Sequence, residues 1–501
     1  MNKRTKALKL NTLSTLVLEF VTLISGLIMP RLILSYFGST SNGLISSITQ
    51  FLGFSTILRA GLGGAIRAAL YRPIEQNDNA GISSIMAATE RHMNKICIII
   101  AAGILGFACI YPFFVSDEYS WLYAFTMVLV IGSGTLVENL FGIKCQILLQ
   151  ADQKYYISTF TMIIGNIFVS LVSALIIVCG GNMHLVKIGA VFAAFIKPLL
   201  LNWYVRKNYK INWKAEPNEK AISQRWNAFF QQVAVVMNEN VSLVILTILQ
   251  PLSAVSVFTV HSMVVYNIRA IVNSFTAGIN STFGSMIASE EHDNLKNTLF
   301  FSEWLIFAIA CVLYSVTAVM LTPFVSLYTA SITDVDYHQP MFGILMVVCT
   351  LISSTRLPYQ YLTEGAGKFR ETRNGAILEV IVNISVSIIA VLKFGFIGVL
   401  VGTLCAGIVR TLEYAIFSTK KILKTSALRI AKHYLILIVT FLLCFVLGRI
   451  ICLKCTTYVL WILSAILVFF TSAIIVVIVS LLFYRKQFMS LFGSIKRKFK
   501  K

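Results

Sequence analysis

Eleven of the charged side chains inside the long apolar stretches of this sequence are candidates for chemistry. They are Arg31, Arg59, Lys197, Arg269, Arg356, Arg410, Glu19, Glu138, Glu239, Glu379 and Glu413. A charge at the centre of a bilayer costs at least ~2.5–3.5 kcal/mol on insertion scales, so these residues have either a function or a partner of opposite charge. The six cations are candidate substrate-binding residues. Glu19, Glu239 and Glu379 are candidates for cation coupling, and ion pairing remains an equally good interpretation for any single residue.

Polar residues recur at helical spacing in four of these stretches. The four series are Thr12, Thr15, Glu19, Thr22 and Gly26; Ser46, Thr49, Gly53, Thr56, Arg59, Gly63 and Arg67; Gln231, Asn238, Glu239 and Ser242; and Ser262, Tyr266, Arg269, Asn273, Thr276 and Asn280. A lipid-facing helix surface should be apolar, so each series marks a face turned towards protein or water. We favour a hydrophilic cavity, with Thr56, Tyr266, Asn273 and Asn280 as polar lining. The alternative is dry packing, in which the small residues ease helix contact and the charges pair.

The stretches that carry these residues have the length of membrane-spanning helices. Hydrophobic residues make up 57% of the sequence and the mean hydropathy is +0.80, which excludes a soluble globular protein. A hydrocarbon core of ~30 Å requires ~20 apolar residues per helix. We predict about fourteen spans, near 11–34, 43–70, 96–115, 121–149, 155–179, 185–205, 226–249, 255–287, 299–328, 340–363, 374–392, 397–418, 433–449 and 457–484.

The basic residues sort by the predicted side of the membrane. The chain carries 42 Lys and Arg against 21 Asp and Glu, a formal charge of +21. With a cytoplasmic N-terminus, thirty of the 42 fall in cytoplasmic tails and loops and four in exterior loops. Short loops rich in Lys and Arg stay in the cytoplasm, so both termini are predicted to be cytoplasmic. The basic clusters at 420–432 and 485–501 are expected to contact anionic membrane lipids. We expect no nucleic-acid partner.

The longest hydrophilic stretch suggests how the chain is organised. It covers 206–225 and follows the sixth predicted span, so we predict an N-lobe at 1–205, a cytoplasmic linker at 206–225 and a C-lobe at 226–418. Residues 419–501 would form two extra spans and a basic cytoplasmic tail. Two six-helix blocks enter the membrane in the same direction and can be related by an axis along the membrane normal. The predicted fold class is an all-α integral membrane protein with two pseudo-symmetric six-helix lobes around a central cavity.

The sequence lacks the residue constellations of an enzyme. Its six histidines are scattered without metal-ligand spacing, there is no G-x-S-x-G motif, and GAGK at 365–368 lacks the remainder of a P-loop. We predict no enzymatic activity, no metal and no cofactor. A carrier driven by something other than its own ATP hydrolysis fits this pattern best.

Six motif-like stretches carry a resemblance to a known family. They are PRLILSYFGSTSNGLISSITQFL (30–52), GLGGAIRAALYRPIEQND (61–78), LLQADQKYYIS (148–158), VSVFTVHSMV (255–264), LTPFVSLYT (321–329) and FGFIGVLVGTLCAGIVRT (394–411). They resemble the polysaccharide-transporter branch of the multidrug/oligosaccharidyl-lipid/polysaccharide (MOP) exporter superfamily, which includes Wzx-type O-antigen and capsule repeat-unit flippases. The resemblance covers roughly residues 10–420.

This resemblance implies a specific transport function. Helices 1, 2, 7 and 8 would line the central cavity, and alternating access would carry a polyprenyl-pyrophosphate-linked oligosaccharide from the inner to the outer leaflet of the bacterial cytoplasmic membrane. By analogy with lipid II flippases, Arg31, Arg59 and Arg269 would bind the pyrophosphate. Polysaccharide polymerases and glycosyltransferases of the same pathway would be partners. The two extra C-terminal helices could guide the isoprenoid tail or pad the bundle, and padding is favoured.

Two other functions fit the same sequence. A cation-coupled multidrug exporter of the same superfamily would favour a net-acidic, aromatic-rich cavity. A non-transporting membrane partner of a glycan assembly complex would have its intramembrane charges paired in a closed bundle.

Overall fold

The computed structural model describes residues 3–59, 62–218, 226–276, 279–289, 291–368 and 371–490. Its α-helices, in chain order, are α1 (Lys3–Gly53), α2 (Leu62–Glu75), α3 (Asn79–Ile110), α4 (Trp121–Val137), α5 (Ile143–Ala151), α6 (Tyr155–Val178), α7 (Met183–Ala194), α8 (Ile196–Asn208), α9 (Trp226–Leu249), α10 (Leu252–Ser274), α11 (Ile279–Ala288), α12 (His292–Tyr328), α13 (Pro340–Thr355), α14 (Leu357–Gly365), α15 (Arg373–Phe394), α16 (Gly398–Phe417), α17 (Ala427–Ile451) and α18 (Tyr458–Phe483). No strand occurs within these described ranges, so the all-α prediction is confirmed.

Eleven helical stretches among the described residues are long and apolar enough to cross a membrane, so the chain is a multi-pass membrane protein. Two of them, Leu10–Arg59 and Arg373–Ile422, are 50 residues long. The second contains predicted spans 11 and 12, whereas the first contains span 1 and only the first part of span 2, which was predicted to continue to residue 70. Predicted span 7 contains a shorter apolar helix, Val236–Leu249. The predicted count of fourteen is therefore approximate, because it depends on dividing the two long stretches.

The helices are interrupted where the backbone requires it. Within α1 the helical geometry is broken at Gly38, whose φ of 79° and ψ of 176° disfavour any residue with a side chain. Pro198 and Pro358 lie just after the breaks between α7 and α8 and between α13 and α14, as expected for a residue that lacks the helical N–H. Pro30, in contrast, lies within the continuous part of α1.

Two compact units divide the chain at residues 256 and 257. The first unit is Met1–Ser256 and the second is Val257–Lys501, so α10 begins in the first unit and continues in the second. The predicted division into lobes at 206–225, and the predicted central cavity between lobes, stay predictions.

In the first unit, α2 packs against α3 and α5 through a stripe of apolar side chains. Leu62, Ile66 and Leu70 recur every four residues and are all buried. Gly63 and Arg67 lie one position further along, on an adjacent face of the same helix. This amphipathic pattern fixes which face of α2 carries polar groups.

In the second unit, α17 and α18 pack on α12. The Glu303 carboxylate is 3% exposed and accepts two hydrogen bonds from the Arg429 guanidinium, at 2.5 and 2.9 Å. The Trp304 indole donates to the Ser480 hydroxyl at 3.0 Å, so both extra helices have polar contacts to the same turn of α12.

Candidate anion-binding cavity

A cavity of about 380 Å³ lies in the first unit, between the end of the second predicted span and α5. Its lining residues are Thr56, Arg59, Leu62, Gly63, Gly64, Arg67, Met93, Ile143, Gln146, Ile147 and Gln150. Two guanidinium groups, two carboxamides and a hydroxyl belong to this set, and no carboxylate does. The cavity therefore has the donor-rich, cationic lining that a phosphate group requires.

A change of helix type places Arg59 at this cavity. Residues Phe54–Arg59 form a 3₁₀ helix, a tighter coil that often marks a functional hinge when it interrupts a span. A Cβ at Gly53 would lie 2.9 Å from Oδ1 of Asn240, so glycine permits the close approach of α9 at the start of this segment. Gln50 donates to the same Asn240 oxygen at 2.5 Å. These contacts fix the backbone from which Thr56 and Arg59 project.

The opposite wall is formed by one hydrogen-bonded pair. Nη1 of Arg67, on α2, donates to Oε1 of Gln150, on α5, at 2.8 Å. A Cβ at Gly63, one turn earlier, would lie 3.5 Å from the same Nη1, so this part of α2 is in van der Waals contact with the guanidinium. Since a guanidinium has five N–H donors, this bond leaves others of Arg67 for a ligand.

Arg59 has unused hydrogen-bonding capacity. Its Nε is buried and has no hydrogen-bond partner among the described residues. Glu138 interacts electrostatically with Arg59 and forms an ion pair of 2.7 Å with Lys197. Glu138 begins a π-helical turn, Glu138–Gly142, and π-bulges are frequent at functional sites. The Glu138 carboxylate is thus held directly by Lys197, and Nε of Arg59 stays without a hydrogen-bond partner among the described residues.

Three other predicted site residues meet in the second unit, where they form an ion-pair network. Nη1 of Arg356 lies 2.8 Å from Oε1 of Glu379, and Nε of Arg410 lies 3.5 Å from Oε2 of the same carboxylate. Nη1 of Arg410 also binds Glu413 at 2.5 Å. The i,i+3 pairing of Arg410 with Glu413 agrees with their spacing on one helix. Because these charges satisfy one another, we do not include them in the proposed ligand site.

The remaining predicted residues do not join either group. Arg31 is half-buried on α1, one residue after Pro30, and Glu19 and Glu239 are exposed on α1 and α9. On α10, Tyr266 is exposed, Arg269 is half-buried and interacts electrostatically with Tyr314, and Asn273 has a buried Oδ1 without a partner among the described residues. The side chain of Asn280 lies outside those described. The proposed ligand roles of these residues stay predictions.

Sequence reasoning missed three residues of the cavity. Arg67 belongs to the polar series of span 2 but was not among the predicted cations, because it follows the apolar part of that span. Gln146 and Gln150 are spaced by one helical turn at the end of span 4. That i,i+4 carboxamide pair is the signal that could have identified α5 as a cavity wall.

Solved structures with the same fold are transporters. Similar structures include one titled lipid II flippase MurJ in an inward closed conformation, with a TM-score of 0.71 and 17% identity over 95% of this chain and 99% of that chain. An inward-facing MATE multidrug-resistance transporter of the MOP superfamily has a TM-score of 0.64 and 15% identity, over 85% of this chain and 100% of that chain. An outward-facing MATE transporter has a TM-score of 0.56 and 14% identity, over 85% of this chain and 98% of that chain. No family model and no curated protein matches the sequence. The chain therefore has the fold of these solved structures, in agreement with the all-α transporter fold that its sequence motifs predicted.

Proposed function

We propose that this protein is a flippase that translocates a polyprenyl-pyrophosphate-linked oligosaccharide across the bacterial cytoplasmic membrane by alternating access. The cavity with Arg59 and Arg67 is the observation that carries this proposal. It would hold the pyrophosphate, while the isoprenoid tail stays in lipid.

The position of the cavity suits cargo loading from the cytoplasm. Arg67 lies four residues before the predicted cytoplasmic loop at 71–95, and Gln150 begins the predicted loop at 150–154. A lipid-linked cargo made in the cytoplasm presents its pyrophosphate at this depth. The carboxamides of Gln146 and Gln150 can donate to phosphate or sugar oxygens beside the two guanidinium groups.

The MATE-like fold favours a second candidate, a cation-coupled multidrug exporter. Cationic drugs require carboxylates or aromatic rings, whereas the cavity lining contains two cations and no carboxylate among the described residues. The charge of the lining therefore supports the anionic cargo. The similarity to a structure titled lipid II flippase supports the same choice.

Binding of a defined probe tests the proposal. Full-length protein in lipid nanodiscs is titrated with polyprenyl pyrophosphate linked to one N-acetylhexosamine, and with the matching uncharged polyprenol. Each guanidinium–phosphate contact contributes about 1.5–3 kcal/mol, so Arg59→Gln and Arg67→Gln should each weaken pyrophosphate binding about ten- to hundredfold. Polyprenol binding should not change.

Arg373→Gln is the matched control, because Arg373 is an exposed arginine at the start of α15 and is not part of the cavity lining. It should bind the probe like the unsubstituted protein. Equal affinity for pyrophosphate and polyprenol, or unchanged binding in both cavity variants, would contradict the proposal. Export of cationic drugs that survives both substitutions would support the multidrug alternative.

A further inference from the structure

A second cavity, of about 560 Å³, lies at the end of α8 and shares no lining residue with the first. Arg206 and Lys210 line it together with the aromatic rings of Tyr209 and Trp213, and no carboxylate is part of the lining. It falls at the start of the 206–225 stretch, which the topology places on the cytoplasmic side. The cavity therefore combines two exposed cations with two rings at the predicted membrane surface.

Contacts to neighbouring helices hold the loop that forms this cavity. The Tyr209 hydroxyl donates a short hydrogen bond to the Asp152 carboxylate, which ends α5. The backbone N–H of Asn212 donates to the Ser83 hydroxyl of α3 at 3.0 Å. The ammonium of Lys144 lies 4.6 Å from the centre of the Trp213 ring. Since two neighbouring helices, α3 and α5, anchor the loop, the cavity is preformed.

An apolar stripe leads from the cavity along α7 and α8. Phe192, Leu199 and Trp203 are 72%, 64% and 61% exposed, and with Arg206 they recur at steps of seven, four and three residues. This spacing puts Leu199, Trp203 and Arg206 on one face of α8, and Phe192 precedes them on α7. The ammonium of Lys207 lies 5.2 Å from the centre of the Trp203 ring, and such indole–cation pairs are typical of the membrane interface.

We propose that this cavity binds the phosphate headgroup of an anionic glycerophospholipid from the cytoplasmic leaflet. The phosphodiester lies between Arg206 and Lys210, and the acyl chains follow the stripe of Phe192, Leu199 and Trp203. A soluble phosphate would use the cations alone and leave the stripe without a function. The stripe is therefore the reason to assign a lipid, and the proposal does not depend on the transported cargo.

Native mass spectrometry of the full-length protein tests this assignment. The protein is released from bicelles that contain equal parts of phosphatidylglycerol and phosphatidylcholine, and the retained lipids are counted. Each cation near an anionic surface contributes about 1 kcal/mol, so Arg206→Gln with Lys210→Gln should reduce retained phosphatidylglycerol by roughly thirtyfold. Leu199→Ser with Trp203→Ser should reduce it as well, with both cations intact.

Lys296→Gln with Arg373→Gln removes the same charge from two exposed positions that the topology prediction assigns to cytoplasmic loops, outside the basic clusters at 420–432 and 485–501, and should retain phosphatidylglycerol normally. An equal loss in this control would overturn the proposal, because only general surface charge would then be involved. Displacement of the lipid by millimolar glycerol 3-phosphate, with no effect of the serine substitutions, would assign the site to a soluble phosphate instead. Size-exclusion elution of each variant at the unsubstituted volume shows that it is folded.

Discussion

Replacement of Arg410 by methionine tests whether the ion-pair network of the second unit is structural. The Arg410 side chain is 6% exposed and has several polar partners. Its Nη1 donates to the Thr372 carbonyl at 2.9 Å, and its Nη2 donates to the Tyr414 hydroxyl at 2.8 Å. Methionine fills similar space but removes every one of these donors together with the charge.

The geometry sets the size of the expected loss. Removing one partner of a buried ion pair costs about 3–5 kcal/mol, because it leaves the other charge unpaired. Glu379 keeps Arg356 at 2.8 Å, so only Glu413 loses its close cation. Glu413 is 28% exposed, and partial solvation lowers the penalty. We therefore expect Arg410→Met to reduce the free energy of unfolding by about 3 kcal/mol, the lower end of that range.

Reversible unfolding in mixed micelles, followed by tryptophan fluorescence, measures this loss. Glu413→Gln alone should destabilise by about 1 kcal/mol, as its carboxylate is only partly buried. In the double variant the two losses should not add, since residues in direct contact couple by about 0.5–3 kcal/mol.

The reasoning would be refuted by a particular combination of results. If Arg410→Met unfolds at the same free energy as the unsubstituted protein and yet fails to bind the pyrophosphate probe, Arg410 is a ligand contact. Its distances to Glu379 and Glu413 would then describe only a state without cargo.

Two other changes follow from single contacts. Gly375→Ala should reduce the free energy of unfolding by about 1–3 kcal/mol in the same assay, because a Cβ there would overlap the Glu413 carboxylate. The double variant, Gly375→Ala with Glu413→Ala, should recover part of this loss. Burial, followed by the hydrogen bond to Asp152, raises the pKa of Tyr209 above its ordinary value of about 10. The contribution of this phenol to stability is therefore complete below pH 10 and is lost only as the pH rises through the raised pKa. The difference in 295 nm absorbance between the unsubstituted protein and Tyr209→Phe should show no phenolate signal between pH 9 and 11, and a normal tyrosine titration there would contradict the burial of Tyr209.

Helix positions could be predicted from the sequence because each span is a local property. Twenty consecutive apolar residues identify a span wherever its neighbours lie. The break at Gly38 agrees with the predicted gap between spans 1 and 2, and the breaks near Pro198 and Pro358 follow from proline chemistry. The 3₁₀ segment that ends at Arg59 has no comparable signal, since it depends on the approach of α9 to Gly53.

Partners of the charged residues could be predicted only where they are close in sequence. The Arg410–Glu413 pair follows from its i,i+3 spacing on one helix. The 2.8 Å contact of Arg356 with Glu379 joins residues 23 positions apart, and Lys197 with Glu138 joins residues 59 apart. Such pairs depend on which helices become neighbours, and hydropathy does not contain that information.

The bidentate contact between Glu303 and Arg429 has a consequence for motion in the bilayer. Separation of α17 from α12 would leave the buried Glu303 carboxylate without its cation in a low-dielectric environment, so these two helices are expected to move together. The Trp304–Ser480 hydrogen bond adds α18 to the same moving body. Any rearrangement of α12 then displaces acyl chains around three helices rather than one. We expect the rate of such a rearrangement to fall as bilayer viscosity increases, because the displaced acyl chains oppose the lateral movement of all three helices.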